Sequence, residues 1–394
     1  MAENKTVAKD FGFGEEETIM RDAVRRFLSE KLTTYTLSRL VADAPQPVYD
    51  EGNRAPWDSA LWSEIVALGW TGLAIAEDAG GADISMAGIA AIAEEAGRAA
   101  LPSPLLPTLS ASILLRRAGG EVAARMMTEI ASGGATASLA VTNATGSWDP
   151  ADAPLTAKED GQGLQLTGSA HFVQDAFKVT TLIASARLGS ELVLCIVPIS
   201  APGLRLEQDH IHDLTRDQAT VHFDKVSVGP DSIISRNAMG LLTEVWPAFL
   251  ILVAADLCGA SEWLLQTTVE YAKERIQFDH PIGFFQAVKH PLVDAMVNID
   301  RARSLLYHAA AEIDAGSPEA ETAARMAKSA ASDAAAFVSN RAVQLHGGIG
   351  FTWEHSIHIY FKRNLHNQAL FGDGVYQRRL LANQLIGPIT DYGA

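Results

Sequence analysis

Residues 275–286 read RIQFDHPIGFFQ, and residues 344–355 read QLHGGIGFTWEH. Arg275 offers a rigid fork of N–H donors that matches the oxygens of a pyrophosphate. The pair Gly347-Gly348 lets the backbone approach a ligand where a Cβ would clash. Taken singly, the arginine is better explained as a helix cap and the glycine pair as a turn, so the interpretation depends on the rest of the chain.

The sequence on both sides of these motifs predicts long helices. From Met239 to the C-terminus the apolar residues keep a helical period, and the small alanine faces favour close packing of helices in a bundle. The N-terminal stretch is similar, since EEETIMRDAVRRFLSEKL, which begins at Glu15, has the spacing of an amphipathic helix. We expect an all-helical domain over residues 1–135 and a helical bundle over residues 233–394.

The middle of the chain has a different pattern. Short β-branched and alternating segments, among them LQLTGSAHFV and ELVLCIVPI, are separated by polar or Gly/Pro stretches. No helical pattern lies between them, so they predict an antiparallel sandwich or barrel over residues 136–232.

Composition limits the class of partner. The formal net charge of −16 over 394 residues argues against nucleic acid. The N-terminus has no apolar signal segment, and the longest apolar run ends at Asp256, too early to cross a bilayer. Cys195 and Cys258 lie far apart in apolar runs. We expect a soluble cytoplasmic protein without a disulfide framework or a membrane span.

The order of domains and the two motifs together resemble the acyl-CoA dehydrogenase family over essentially the whole chain. Arg275, Phe278 and Gln286 match its R-x-x-F-(x7)-Q pattern, and Gln344, Gly347 and Gly348 match its Q-x-x-G-G pattern. The resemblance implies a multidomain α+β fold with an N-terminal helical domain, a middle antiparallel β domain and a C-terminal four-helix bundle. It also implies that these six residues bind the ADP half of FAD across a subunit interface, reaching the neighbour's flavin.

The family's catalytic base is missing at both of its usual positions. Dehydrogenation of an acyl-CoA thioester needs a carboxylate that takes the α-proton while the flavin takes the β-hydride. Counting from Gln344 places the usual glutamate on Phe371, and counting back from Arg275 places the alternative base on Phe249. The next position, an arginine in the family, is Leu250.

Other features have weaker interpretations. The family segment that lines the flavin ring corresponds to TNATGSWD, residues 142–149, which is one residue shorter and lacks the Glu-Pro pair. Asp373, between two glycines, is a substitute base or, as we favour, a turn residue bonded to local backbone. Lys362-Arg363 is expected on a solvated helix face or at an interface. The clustered histidines lack the accompanying ligand spacing of a metal site.

Three hypotheses follow from the resemblance. The first is a base-lacking subunit that works with a second acyl-CoA dehydrogenase-type chain, as in enzymes acting on steroid side-chain thioesters. The second is a self-sufficient homomeric dehydrogenase that uses Asp373, and the third is an inactive scaffold of the same fold. The first two require FAD, an acyl-CoA thioester, a dimeric or tetrameric assembly and an electron-transfer protein as acceptor.

Overall fold

The structure is a computed structural model, and it describes residues 14–42 and 57–387. The chain begins as a helical domain. Its helices are α1 (Glu15–Lys31), α2 (Thr34–Ala42), α3 (Ser59–Ala67), α4 (Met86–Arg98), α5 (Leu105–Ala118) and α6 (Gly120–Ala131).

The middle domain is one eight-stranded sheet. Its strands are β1 (Ala137–Ala140), β2 (Leu155–Asp160), β3 (Gly163–Gln174), β4 (Thr181–Leu188), β5 (Glu191–Pro198), β6 (Leu204–Gln208), β7 (Gln218–Val228) and β8 (Ile233–Ser235). The order β6-β7-β3-β2-β4-β5-β8 is antiparallel except at β4, which has β1 and β2 as parallel neighbours. The predicted antiparallel domain is therefore confirmed in its main pairings. Neither β1 nor β2 is joined to β4 by a tight turn, because β3 lies between them in the sequence, so parallel pairing with β4 is possible.

The C-terminal domain is again helical. It contains α7 (Met239–Glu274), a small hairpin of β9 (Ile276–Gln277) and β10 (His280–Pro281), α8 (Gln286–Asp314), α9 (Ala320–His346), α10 (Ile357–Ala369) and α11 (Gly374–Ile386). Helices α7 to α10 pack on one another as the predicted bundle, and α11 packs on the outside against α9. The domain boundaries at residues 135 and 232 stay predictions.

Two glycines allow α4 to cross α7 at very short range. A Cβ at Gly259 would lie 1.8 Å from the carbonyl oxygen of Glu94, and a Cβ at Gly97 would lie 2.2 Å from that of Asp256. Any larger residue would force the helices apart. This contact fixes α7 against the N-terminal domain and so sets the position of Phe249.

Helix α7 is the one helix in the described ranges that is long and apolar enough to cross a membrane, and 83% of its apolar window is buried inside the protein. Such burial is typical of the core helix of a bundle. Phe249 and Leu250 are fully buried there. Cys195 and Cys258 are buried free thiols.

Candidate active site and cofactor-reaching surface

Phe371 lies on a short turn between α10 and α11. Its φ of +57° is unusual for a bulky residue, and Gly372 follows with φ +89°. The Phe371 carbonyl accepts a hydrogen bond of 2.6 Å from the side-chain amide of Gln377. Left-handed backbone at a bulky residue costs free energy and persists only where the surroundings enforce it. The turn is therefore held in one conformation that aims the Phe371 ring inward.

The ring of Phe371 belongs to an aromatic cluster that we call the aromatic plug, formed by Trp148, Phe172, Trp246, Phe249 and Phe371. The Phe371 centroid lies 5.3 Å from Trp148, 5.4 Å from Trp246 and 6.2 Å from Phe249. Trp148 also contacts Phe172, at 5.9 Å. Phe249 and Phe371, the two positions to which the motif spacing assigns a base, are thus members of one apolar cluster, and neither can accept a proton.

Beside the plug lies a cavity of about 40 Å³, lined in part by Thr142, Phe172, Gln174, Leu252 and Phe371. Pockets that take cofactors or drug-sized ligands usually measure roughly 300–1,000 Å³. The cavity beside the plug is several times smaller than that. The residues at the ring half of the expected flavin site therefore do not fit an isoalloxazine in this conformation.

Asp373 is the helix N-cap of α11. Its half-buried carboxylate accepts a hydrogen bond of 2.8 Å from the backbone N–H of Tyr376. An aspartate at this position satisfies one of the free N–H groups of the first helical turn. This geometry agrees with the turn interpretation of Asp373, and its use as a base stays a proposal.

Lys328 of α9 binds the turn that contains Phe371 and Gly372. Its fully buried ammonium donates to Ser332 Oγ at 2.9 Å and to the carbonyls of Gln368 at 2.9 Å and Gly372 at 3.0 Å. Burial lowers the pKa of Lys328 to about 7, an effect that the nearby Asp373 carboxylate opposes. The sequence analysis did not identify Lys328; the available signal was a lone lysine on an alanine-rich helix face.

A buried network of ion pairs joins the middle domain to the C-terminal bundle next to the small cavity. Arg363 of α10 binds Asp256 of α7 through two bonds of 2.8 and 2.5 Å. Arg216 bridges Asp256 and Asp175, at 3.0 Å each. Lys178 completes the network, 2.8 Å from Asp175. Burial alone would raise the pKa of Asp175, but the two cations hold it below its usual range.

The expectation for Arg363 was wrong in one respect. Its side chain is fully buried, whereas Lys362-Arg363 was predicted on a solvated or interfacial face. The carboxylate that makes this burial tolerable, Asp256, lies 107 residues earlier in the chain. Nothing in the local sequence of α10 indicates that partner.

The six residues predicted to reach a flavin lie on the surface. Arg275, Phe278, Gln286, Gln344, Gly347 and Gly348 are all exposed. Within the described part of the chain, no side-chain hydrogen bond or ion pair engages Arg275, Gln286 or Gln344. A Cβ built on Gly347 or Gly348 would meet nothing within 4 Å, so open space lies in front of this backbone. These residues fit the phosphate and ribose part of a dinucleotide, which needs free donors and close backbone approach.

The hairpin between α7 and α8 presents Phe278 outward. Phe278 and Asp279 have φ of +53° and +61°, the two-residue turn that usually requires Asn or Gly, and the Phe278 side chain is 84% exposed. Such an outlier is a feature of functional sites. Tyr271, five residues before the hairpin, stacks on His346 with centroids 4.3 Å apart. This contact holds the end of α7, which leads into the first motif, against the second motif.

The plug and this exposed surface lie at opposite ends of α9. Lys328 touches the plug turn, and Gln344 lies sixteen residues further along the helix. At 1.5 Å per residue the separation is about 24 Å. Among the described residues, no group of three or more His, Cys, Asp or Glu could hold a metal ion.

This arrangement of a helical domain, a sheet and a bundle with an exposed hairpin between α7 and α8 defines an acyl-CoA dehydrogenase fold. The model of the acyl-CoA dehydrogenase N-terminal domain matches residues 14–134, and that of the C-terminal domain matches residues 251–386. The chain belongs to the acyl-CoA dehydrogenase family.

Individual relatives agree with this assignment. Acyl-CoA dehydrogenase IpdE2 of Mycobacterium tuberculosis is 35% identical over 309 residues, covering 78% of this chain and 80% of that protein. The solved Tcur3481-Tcur3483 steroid ACAD variant is 27% identical with a TM-score of 0.83, covering 94% and 98% of the two chains. The ChsE4-ChsE5 complex from Mycobacterium tuberculosis has a TM-score of 0.85 at 22% identity over 96% and 100%, which shows a common fold.

Proposed function

We propose that this chain is the base-lacking subunit of a heteromeric, FAD-dependent acyl-CoA dehydrogenase. One observation carries the proposal: the aromatic plug occupies the positions that the family's motif spacing assigns to the base, while Arg275, Gln286 and Gln344 are exposed and have no side-chain partner among the described residues. The partner would be a second chain of the same fold that bears a glutamate base and binds the flavin ring.

The chemistry of the exposed residues supports this role. Arg275 would bind the pyrophosphate through its fork of N–H groups, and the Gly347-Gly348 backbone would lie against the cofactor without steric hindrance. Phe278 would pack against the flat adenine ring of the neighbour's FAD or against the edge of its flavin ring. FAD supplies the hydride acceptor when bound, and the base would come from the partner. The electrons would leave through an electron-transfer protein.

Exposed apolar side chains lie within both sequence motifs and on α8. Phe278, Phe284, Phe351 and Trp353 are 84%, 57%, 69% and 46% exposed, and Val293, Met296 and Val297 of α8 are also exposed. Large contiguous apolar surface on a protein usually marks an interface. This surface supports association with another chain, and the relatives whose structures are two-chain complexes make a heteromer the preferred form. We also propose that the protein is cytoplasmic and that its thioester substrate carries a bulky, steroid-like acyl group.

The test is flavin content and activity with and without a partner. The purified chain alone should be colourless at 450 nm and should not dehydrogenate acyl-CoA thioesters with an artificial electron acceptor. Co-expression with a glutamate-bearing acyl-CoA dehydrogenase-type chain should give a yellow, active complex with one FAD for each pair of chains. Activity of the chain alone would exclude this function, and a colourless, inactive complex would favour the inactive scaffold.

A further inference from the structure

Three histidines lie together where α9 ends and α10 begins, and we call them the histidine cluster. His346 is the last residue of α9, His355 lies on the irregular segment that follows, and His358 is in the first turn of α10. The rings of His346 and His355 have centroids 4.8 Å apart, and a charge on His355 would act on both of the others. His346 and His358 are only 3% and 6% exposed.

Each ring of the histidine cluster has one nitrogen without a hydrogen-bond partner. These atoms are His346 Nε2, His355 Nδ1 and His358 Nε2, and all three are buried without a partner in the described part of the chain. The Nδ1–H of His346 donates to the carbonyl of Ala342 at 2.8 Å, so in the neutral ring its Nε2 carries no proton. A proton added to any of the three atoms would be a buried N–H donor without an acceptor, which is costly.

Aromatic rings cover two of the three histidines. Tyr271 of α7 stacks on His346, with planes 21° apart. Trp353 contacts the ring of His358 edge to face, with centroids 4.7 Å apart. These contacts bury the imidazoles without supplying a carboxylate that could pair with a protonated ring.

The charged neighbours do not compensate for a proton either. Lys362, one turn after His358 on α10, is a cation, and the carboxylate of Glu354, next to His355, is exposed. Among the described residues no carboxylate pairs with any of the three rings. Burial lowers the pKa of all three histidines, and Lys362 and His355 add to this effect at His358, whose pKa falls to about 4.

We infer that the histidine cluster is an acid-sensitive switch: protonation of its rings opens segment 346–358 and displaces the Gly347-Gly348 turn that this segment contains. The neutral rings pack against Tyr271 and Trp353 and hold the segment closed. Protonated rings would stand beside Lys362 and one another, and they are stable only where water hydrates them. The opening is a property of the isolated chain, whereas the resulting withdrawal of Gly347-Gly348 from a neighbour's flavin rests on the proposed function.

Proton linkage gives the direction and the size of the effect. An exposed histidine has a pKa of about 6.5, so below this pH the open segment binds protons that the closed segment excludes. For His358 alone, a change from pH 7.5 to pH 5.5 should raise the population of the open form about tenfold. His346 and His355 should add to this change, because burial lowers the pKa of both.

Hydrogen–deuterium exchange of the purified full-length chain, followed by mass spectrometry, measures this opening. After correction for the intrinsic pH dependence of exchange, the protection of peptides that cover residues 346–358 should fall at least about tenfold between pH 7.5 and pH 5.5. The far-ultraviolet circular dichroism signal should stay constant over the same range, because the opening is local.

Two substitutions separate the histidine cluster from other titrating groups. His358→Phe keeps an aromatic ring against Trp353 but cannot bind a proton, so the loss of protection at pH 5.5 should shrink about tenfold. His355→Gln, at a half-buried position, should shrink it in the same direction, which keeps the test decisive if His358→Phe does not fold. His290→Gln, at an exposed histidine of α8, should behave as the wild type.

Three results would overturn the inference. They are constant protection of residues 346–358 over this pH range, the full pH dependence in both His358→Phe and His355→Gln, and a loss of the circular dichroism signal in parallel with the loss of protection. None of these measurements needs flavin or a partner chain, so they are separate from the test of the proposed function.

Discussion

The two ends of helix α9 differ in almost every physical respect. At the Lys328 end, the plug is apolar, enclosed and held by hydrogen bonds, with a cavity of about 40 Å³. At the Gln344 end, polar side chains and glycines face open space. A chain that had lost all function would have no physical reason to expose unpaired Arg275 and a strained Phe278 turn. The difference supports the proposal that this chain lacks a base of its own and keeps a surface for another chain.

The largest difference between the two regions should be seen in stability. Phe249→Ala removes a fully buried ring and should lower the free energy of unfolding by about 3–5 kcal/mol. Phe278→Ala removes a ring that is 84% exposed and should change it by less than about 0.5 kcal/mol. Urea denaturation followed by circular dichroism measures both. Equal effects would mean that the Phe278 hairpin is packed in the isolated chain.

The exposed region should dominate flavin retention in the complex. Arg275→Met should weaken FAD binding by the partnered enzyme by roughly 10- to 100-fold, the value of one or two charge-assisted hydrogen bonds. The control is Arg301→Met, an exposed arginine of α8 outside both motifs. The measurement is FAD released on dilution, detected by flavin fluorescence. If the Arg275→Met complex retains FAD as well as the wild-type complex does, Arg275 does not bind the neighbour's flavin.

In the enclosed region, Lys328 should make the free energy of unfolding depend on pH. Burial lowers the pKa of Lys328 to about 7 in the folded chain, compared with about 10.4 when unfolded. Between these values the unfolded state binds the extra proton, so stability rises with pH. From pH 7 to 9 the wild-type chain should gain stability relative to Lys328→Met by up to about 1.4 kcal/mol per pH unit.

Urea denaturation at several pH values checks this expectation. Lys273→Met, at an exposed lysine paired with Glu270, serves as the control and should follow the wild-type profile. Parallel profiles for wild type and Lys328→Met would show that Lys328 keeps its proton when buried.

The smallest effect is expected at Asp373. Asparagine caps a helix about as well as aspartate, so Asp373→Asn should change stability by less than about 0.5 kcal/mol. If the partner supplies the base, the rate of the complex should change less than about twofold. If Asp373 is the base, the rate should fall by about 10²- to 10⁴-fold. Steady-state dehydrogenation assays separate the two hypotheses without a folding artefact.

Local patterns in the sequence were sufficient for the fold, because helical periodicity and strand alternation are short-range signals. The assignment of Phe371 and Phe249 to the base positions rests on the ungapped spacing of the family motifs and stays a prediction. The plug itself could not be derived, because Trp148 and Trp246 come from different domains and meet Phe371 only in the folded chain. The burial of Arg363 could not be predicted for the same reason, because its partner Asp256 lies on another helix.

Because α9 is one continuous helix, the number of residues between Lys328 and Gln344 is constrained. Because one helix carries both Lys328 and Gln344 and contains no proline, the two residues keep a fixed angular relation as well as a fixed spacing. One inserted residue between them would turn Gln344 by about 100° relative to Lys328 and shift it by about 1.5 Å. A seven-residue insertion would nearly restore the angle but lengthen the span by about 10 Å. The segment therefore tolerates substitution far better than any change in residue number.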